Sequence, residues 1–200
     1  RLGSDPAADI NDPMWRPGPL PPNGNYSLLF DGANDYVEIP ASNSLNLQTF
    51  TVECWTRPDP NLSFGDNPAL FMRGDNSGRN ELFLGLDSRS RLGVNVDNTN
   101  YYFDFPGIDF LDQTWRHVAL TYDNTTLRAY VNGNPSSNLH YVNATLNFGA
   151  SNALIGADYD AFNSGISNFF EGEIDELRIW NVARTEAQLI PGQGGGHGRG

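Results

Sequence analysis

Apolar positions in this chain recur at a period of two inside short runs, and Asp, Asn, Gly and Pro separate each run from the next. The clearest case is Phe170 to Asn181, where Ile174, Leu177, Ile179 and Trp180 supply the apolar content and Glu173, Asp175, Glu176 and Arg178 sit between them. That pattern reads as a β-strand and not a helix. Near the other end, Leu28 to Ile39 places two short strands around an Asp/Gly/Asn turn, and the two segments suggest a fold that closes by bringing its ends together. The same reading puts strands at Tyr26–Phe30, Tyr36–Ile39, Phe50–Arg57, Ala69–Arg73, Glu81–Leu86, Leu92–Asp97, Tyr101–Phe105, Trp115–Tyr122, Leu127–Val131, Ala153–Ala157 and Glu173–Asn181. Runs spaced like this, with turn signals between them, predict an all-β, antiparallel two-sheet sandwich. Asn132-Gly133 is the strongest hairpin signal, because Asn-Gly readily takes the positive φ angles of a type I′ turn. A second turn is expected over 122–126. The one convincing helix is short, Thr185 to Leu189, with Thr185 placed to cap its first turn.

The ends of the chain have a different composition. Residues 1–25 are rich in Asp, Asn, Pro and Gly around Pro17 to Pro22, which suits an extended polyproline-like linker and not a core strand. Residues 191–200 have the composition of a flexible linker. One domain, without internal repeats, is therefore expected over 26–190. Gly-rich ends do not order themselves unaided, because glycine loses the most conformational entropy when fixed. If they are ordered, other copies of the chain or neighbouring domains are expected to hold them.

Taken together, Phe30-Asp-Gly, Asp35 to Ile39 and Gly172 to Asn181, with Phe50 to Trp55, Trp115 to Tyr122 and Leu127 to Gly133 in order between them, resemble a known family. They are similar to the laminin-G-like jelly roll of the concanavalin A-like lectin/glucanase superfamily, over roughly residues 26–190. The resemblance implies a jelly-roll sandwich and metal at the sheet rim. That superfamily hosts lectins, adhesins, structural modules and hydrolases, so the fold alone does not give the function.

Charge and composition narrow the partners. A formal net charge of −12 argues against nucleic-acid phosphates, and no Arg stripe with interleaved aromatics offsets it. It favours divalent cations and neutral or sugar surfaces. All twelve basic residues are Arg. Cys54 stands alone in an apolar run, which predicts a buried thiol. No run approaches the length of a membrane-spanning helix, and the Arg1 start has no apolar signal region, so an exported form would be a mature chain or a fragment.

Three chemistries are expected or weighed. A calcium ion, which needs six to eight oxygen ligands, could be held by Asp31, Asn34, Asp35 and Asp175, joining the first strand to the last. The competing reading is an Asx-type turn bonding its own backbone. A weaker metal set is Asp158, Asp160 and Asn163. Hydrolysis by Glu173, Asp175 and Glu176 is disfavoured, because Glu173 and Asp175 share a strand face but the third acid of the Glu-x-Asp-x-Glu strand that the segment superficially resembles in family 16 glucanases is missing. Here alternation puts Leu177 after Asp175 on that face and turns Glu176 away. His117 is expected to be a satisfied core residue, and His140 and His197 fall in a turn and in a tail, without zinc-ligand spacing.

Carbohydrate contact is the third. Aromatic side chains stack on sugar faces while Asn and Asp bond hydroxyls, and Tyr101, Tyr102, Tyr159 and Phe162 are the best placed in loops for this. Asn25, Asn61, Asn124 and Asn143 head acceptor sequons for glycosylation, should the chain pass through a glycosylating route. The reading that follows is an extracellular, non-catalytic binding or structural module, a subunit or segment of a surface adhesive or filamentous assembly. The alternative is a lectin module accompanying an enzyme.

Overall fold

A computed structural model describes residues 13–19, 26–65, 67–75, 79–142, 146, 151–160 and 165–189. All eleven expected strands are present, arranged in two large antiparallel sheets with a core between them. The larger sheet runs in the order β1 (Met14–Pro17), β2 (Tyr26–Asp31), β16 (Glu171–Trp180), β4 (Phe50–Pro58), β9 (Arg116–Tyr122), β10 (Thr126–Val131) and β11 (Asn134–Pro135), and β12 (His140–Tyr141) pairs with β10. The six-stranded sheet runs β3 (Val37–Ile39), β13 (Ala153–Ile155), β5 (Ala69–Asp75), β6 (Arg79–Ser88), β7 (Arg91–Val96) and β8 (Thr99–Asp104). A separate hairpin consists of β14 (Asp158–Asp160) and β15 (Gly165–Ser167).

The ends of the domain do meet. β16 lies between β2 and β4, with Glu171 opposite Asp31 on one side and Glu173 opposite Arg57 on the other. Within the stretch read as linker, Met14–Pro17 is an exposed edge strand along β2. Two short strands carrying few apolar residues, Asn134–Pro135 and His140–Tyr141, were not legible from periodicity.

Alternation sends Leu82, Leu84 and Leu86 of β6 and Leu92, Val94 and Val96 of β7 into the core, where they join Phe30, Phe50 and Tyr122 in one buried cluster. Each buried aliphatic side chain contributes about 1.5–3 kcal/mol. Cys54 belongs to the same core, and burial, then the negative charges of Glu53 and Asp175, push its thiol well above the ordinary range. It is therefore inert as a nucleophile.

The alternation expected for the last strand breaks once. Asp175 pairs with Trp55 and Arg178 with Glu53, so Glu176 and Leu177 together stand opposite Cys54 in a β-bulge, with Glu176 at φ 50°. The bulge turns Leu177 to the core beside Ile174 and Ile179. The expected Asn132-Gly133 turn is present, with both residues at positive φ between paired Val131 and Asn134. In the 122–126 turn, Asp123 Oδ1 accepts from the amides of Thr125 at 3.0 Å and Thr126 at 2.7 Å. Burial would raise its carboxyl, but bonds from Thr125, Thr126 and Arg128 outweigh that and bring it down to about 2.

After β16 the chain crosses the outer face of the larger sheet as a strap. Thr51 Oγ1 donates to the Val182 carbonyl at 2.8 Å and accepts from the Arg184 amide at 2.8 Å. Glu53, only 1% exposed, receives Arg184 Nη1 on both oxygens at 2.6 and 2.8 Å and Trp180 Nε1 at 2.9 Å. Leu189 closes the strap by packing on Ala119 and Tyr130. The helix expected at Thr185–Leu189 is instead one 3-10 turn, Glu186–Gln188, whose following amides bond three residues back. Thr185 does not cap the turn through its hydroxyl; instead its amide and Oγ1 donate to Gln188 Oε1 at 2.8 and 3.2 Å.

Glu53 is the anchor of the strap. Glu53→Ala should cost about 3 kcal/mol, because it strands a partly buried guanidinium, and urea denaturation would read this as a lower midpoint at unchanged slope. Burial alone would raise the Glu53 carboxyl, but bonds from His117 and Trp180 and the charge of Arg184 outweigh it and hold it below 4.5. A carboxylate lowered by folding stabilises fully above its ordinary value and loses that effect as pH falls through the folded value. Melting followed below about pH 4.5 should therefore show a loss of stability that Glu53→Gln lacks in part.

Candidate functional site

The two sheets differ in what covers their outer faces. On the six-stranded sheet, alternation turns Phe83, Gly85 and Asp87 of β6 outward, with Arg91, Gly93 and Asn95 of β7 and Asn100, Tyr102 and Asp104 of β8. The half over β13 and β5 is closed by the β14–β15 hairpin, whose Tyr159 and Ile166 pack on Ala69, Met72, Phe83 and Leu154. No described element covers the strip over β6, β7 and β8.

The floor of this strip is low at Gly93, which stands between Gly85 and Tyr102 in register. A Cβ on Gly85 would come within 2.5 Å of the Phe83 ring, which therefore lies across that glycine. A Cβ on Gly93 would meet only the neighbouring Asp87, with its Cβ at 3.3 Å, so the backbone itself lines the trough there. Tyr102, 41% exposed, forms one side. The Arg91 guanidinium carbon lies 5.6 Å from the centre of its ring. Arg91 Nε donates to Asp104 Oδ1 at 2.8 Å and Nη1 to Asp87 Oδ2 at 3.3 Å. Asn95 Nδ2 donates to Asn100 Oδ1 at 2.7 Å, while Asn95 Oδ1 has no hydrogen-bond partner, although the residue is 8% exposed.

β8 is the edge of its sheet, and side chains hold it in place of another strand. Asn138 Nδ2 and His140 Nε2 meet the Tyr102 carbonyl at 2.7 and 2.9 Å, and the Asp104 amide donates to Asn138 Oδ1 at 3.1 Å. These contacts fix Tyr102 from behind. An exposed ring beside amides, carboxylates and bare backbone is suited to stacking against a flat apolar face while bonding surrounding hydroxyls.

The residues singled out for sugar contact separate in the fold. Tyr102 lies on the strip. Tyr101 faces the core, 5.2 Å from the His140 ring. Tyr159 plugs the hairpin, with its hydroxyl against Asn152 and Glu38, and burial followed by the Glu38 charge raises it above its ordinary value. Phe162 lies outside the described residues. Asn95, Asn100, Arg91, Asp87 and Asp104 were not singled out, although they are the polar half of the same alternation that identified the strands.

Asp31, Asn34, Asp35 and Asp175 do not form one site. Asp31 Oδ1 accepts from the amides of Ala33 at 2.8 Å and Asn34 at 3.3 Å, and Asp35 Oδ2 accepts from the Asp31 amide at 2.9 Å, as an Asx-type turn does. Register places Glu171, not Asp175, opposite Asp31, which leaves Asp175 about 13 Å further along the strand. Among the described residues no three His, Cys, Asp or Glu groups are arranged to hold a metal ion. Of the weaker set, Asp158 Oδ2 accepts from Asn168 Nδ2 at 3.4 Å and Asn163 lies outside the described residues.

The acids of β16 have structural partners. Glu173 Oε1 pairs with the Arg57 guanidinium and Oε2 accepts from Ser27 Oγ at 2.7 Å. Asp175 Oδ1 accepts from the Glu176 amide at 2.7 Å. His117 is buried, as expected, but on the outer face of the larger sheet, 5.6 Å from the Trp55 ring and with Nε2 3.6 Å from Glu53. Its Nδ1 has no hydrogen-bond partner, so it is not the satisfied core histidine expected. Of the sequons, Asn61 and Asn124 stand exposed in turns, while Asn25 and Asn143 lie outside the described residues. No described helix is long and apolar enough to cross a membrane.

Comparison with known proteins places this geometry in context. Pappalysin-1 of Mus musculus is 24% identical over 193 residues, covering 86% of this chain and 11% of that much longer protein. Domain 4 of AbnA, a GH43 extracellular arabinanase from Geobacillus stearothermophilus solved with arabinotriose, superposes with a TM-score of 0.66 at 18% identity, over 92% of this chain and 82% of that one. The CBM40 of the Ruminococcus gnavus IT-sialidase bound to α2,3 sialyllactose gives 0.65 at 16% identity, over 82% and 94%. At these identities the structures show a shared fold. The laminin-G-like profile of the concanavalin A-like lectin/glucanases superfamily matches residues 31–190, and this chain belongs to that superfamily.

Proposed function

We propose that this chain is an extracellular, non-catalytic carbohydrate-binding module whose ligand lies along the strip over β6, β7 and β8 and stacks on Tyr102. One observation carries the reading. On a sheet face otherwise closed by a hairpin, an exposed, edge-fixed tyrosine stands beside a glycine-floored trough bordered by amides and carboxylates. The partnered state of Glu173 and Asp175 supports binding without hydrolysis. Two solved relatives of the same fold are an arabinotriose-bound domain of an extracellular enzyme and a sialyllactose-bound module, which supports a module that accompanies an enzyme.

A second reading, membership of a surface adhesive assembly, is favoured by β1, whose outer side no described strand pairs. There Met14, Trp15 and Tyr26 are exposed, and the Trp15 and Tyr26 rings meet edge to face at 6.3 Å. An unpaired edge strand of this kind can take another chain.

The carbohydrate reading predicts that Tyr102→Ala weakens binding to any glycan retained on an array by at least about tenfold, the equivalent of ~1.4 kcal/mol, while the melting temperature stays within a few degrees. Undiminished glycan binding by that variant would remove the strip from consideration. The assembly reading predicts particles larger than a monomer by light scattering that dissociate in the Trp15→Ser, Tyr26→Ser double variant. A monomer in both proteins would dismiss it.

A further inference from the structure

We infer, on the reading that the strip binds carbohydrate, that its ligand is an uncharged sugar chain, and that Asp87 and Asp104 set this selectivity by occupying Arg91. An acidic sugar needs a cation whose charge is not already balanced, since carboxylate recognition rests on charge-assisted, often bidentate bonds. Arg91 is the one cation among the described side chains of β7 and β8 on this face. Its Nε is bonded to Asp104 at 2.8 Å and its Nη1 to Asp87 at 3.3 Å. Arg89, in the turn joining β6 to β7, is likewise paired, with Asp109 at 2.9 Å.

The charge count points the same way. Arg91 contributes one positive charge and Asp87 and Asp104 two negative ones, so this region of the strip carries one net negative charge on a chain of formal charge −12. An incoming carboxylate meets like charge here, from the two carboxylates that already neutralise the guanidinium.

Asn95 supplies an independent observation. Its Nδ2 is engaged by Asn100, and its Oδ1 is an acceptor without a partner on a residue 8% exposed. A buried acceptor is satisfied by a donor, such as a hydroxyl or an amide N–H. Sugar hydroxyls and N-acetyl groups offer such donors at many positions, and the carboxylate that sets an acidic sugar apart adds only further acceptors. Selectivity of this kind rests on repulsion of the wrong ligand as much as on attraction of the right one.

The test is an array of matched neutral and acidic glycans, for example lactose against α2,3-sialyllactose and neutral against uronic-acid oligosaccharides, probed with three proteins. The wild-type chain should retain only neutral members, with each acidic counterpart at least tenfold weaker, and higher salt should narrow that gap. In the Asp87→Asn, Asp104→Asn double variant Arg91 is released, and binding of acidic members should rise at least tenfold relative to their neutral partners. If the double variant does not fold, as judged by its melting curve, Asp104→Asn alone carries the same expectation at reduced size. Wild-type binding that favours acidic members, or an acid-to-neutral ratio unmoved in both variants, would overturn the selectivity while leaving the carbohydrate reading intact. Retention of no glycan of either class by the wild-type chain would overturn both.

Discussion

The insertion of β16 between β2 and β4 is the pairing on which the rest of the structure depends. It brings the last strand of the domain into register with one of its first, Glu173 opposite Leu29 and Arg57 at once, and so makes the larger sheet continuous. Gly172 permits the approach. It sits at φ 135°, and a Cβ there would come within 2.6 Å of the Arg57 carbonyl and 2.7 Å of Pro58 Cα. Without this insertion the core residues of β2, Phe30 above all, would face an open gap. Contacts of such wide sequence separation carry a loop-closure cost that must be met before they stabilise anything.

From that pairing follows the asymmetry between the two outer faces. The chain leaves β16 directly over the larger sheet, where Thr51 and Glu53 bind the strap and Leu189 covers Ala119 and Tyr130. Around it the outer face is knitted by internal pairs, with Arg57 bound to Glu173 and stacked over Trp115 at 5.3 Å, and His117 lodged between Trp55 and Glu53. The six-stranded sheet receives only the β14–β15 hairpin on one half. The other half keeps exposed polar groups and a ring that no described element covers. The surface proposed for the ligand is this uncovered half.

The fold was legible in the sequence because each inward face announces itself by alternation: Leu82, Leu84 and Leu86, or Leu92, Val94 and Val96, are spaced as a buried strand requires. What escaped lacks that signal. Met14–Pro17, Asn134–Pro135 and Gly165–Ser167 carry Pro or Gly and are half or fully exposed, so their pairing is decided by neighbours and not by their own pattern. The bulge at Glu176 inserts one residue that no period-two reading anticipates. The candidate site was less legible for a related reason. Loop aromatics drew the functional reading, yet Tyr101 and Tyr159 are packing residues, and Tyr102 owes its setting to Gly93, Arg91 and Asn95 on the adjoining strand. Those partners come together only through register. Register likewise separated Asp175 from Asp31, although closure of the ends was correctly expected.

The central claim is that the ligand-bearing surface is the outward strip of β6, β7 and β8. It is tested most directly by following backbone amide resonances of the intact chain while a retained neutral oligosaccharide is added. The predicted result is a set of shifts centred on Gly93, Asn95 and Asn100 to Asp104, saturating with one affinity. Shifts centred instead on the Asp31 to Asp35 turn or on the Trp55 and His117 face of the larger sheet, with the strip unmoved, would contradict it.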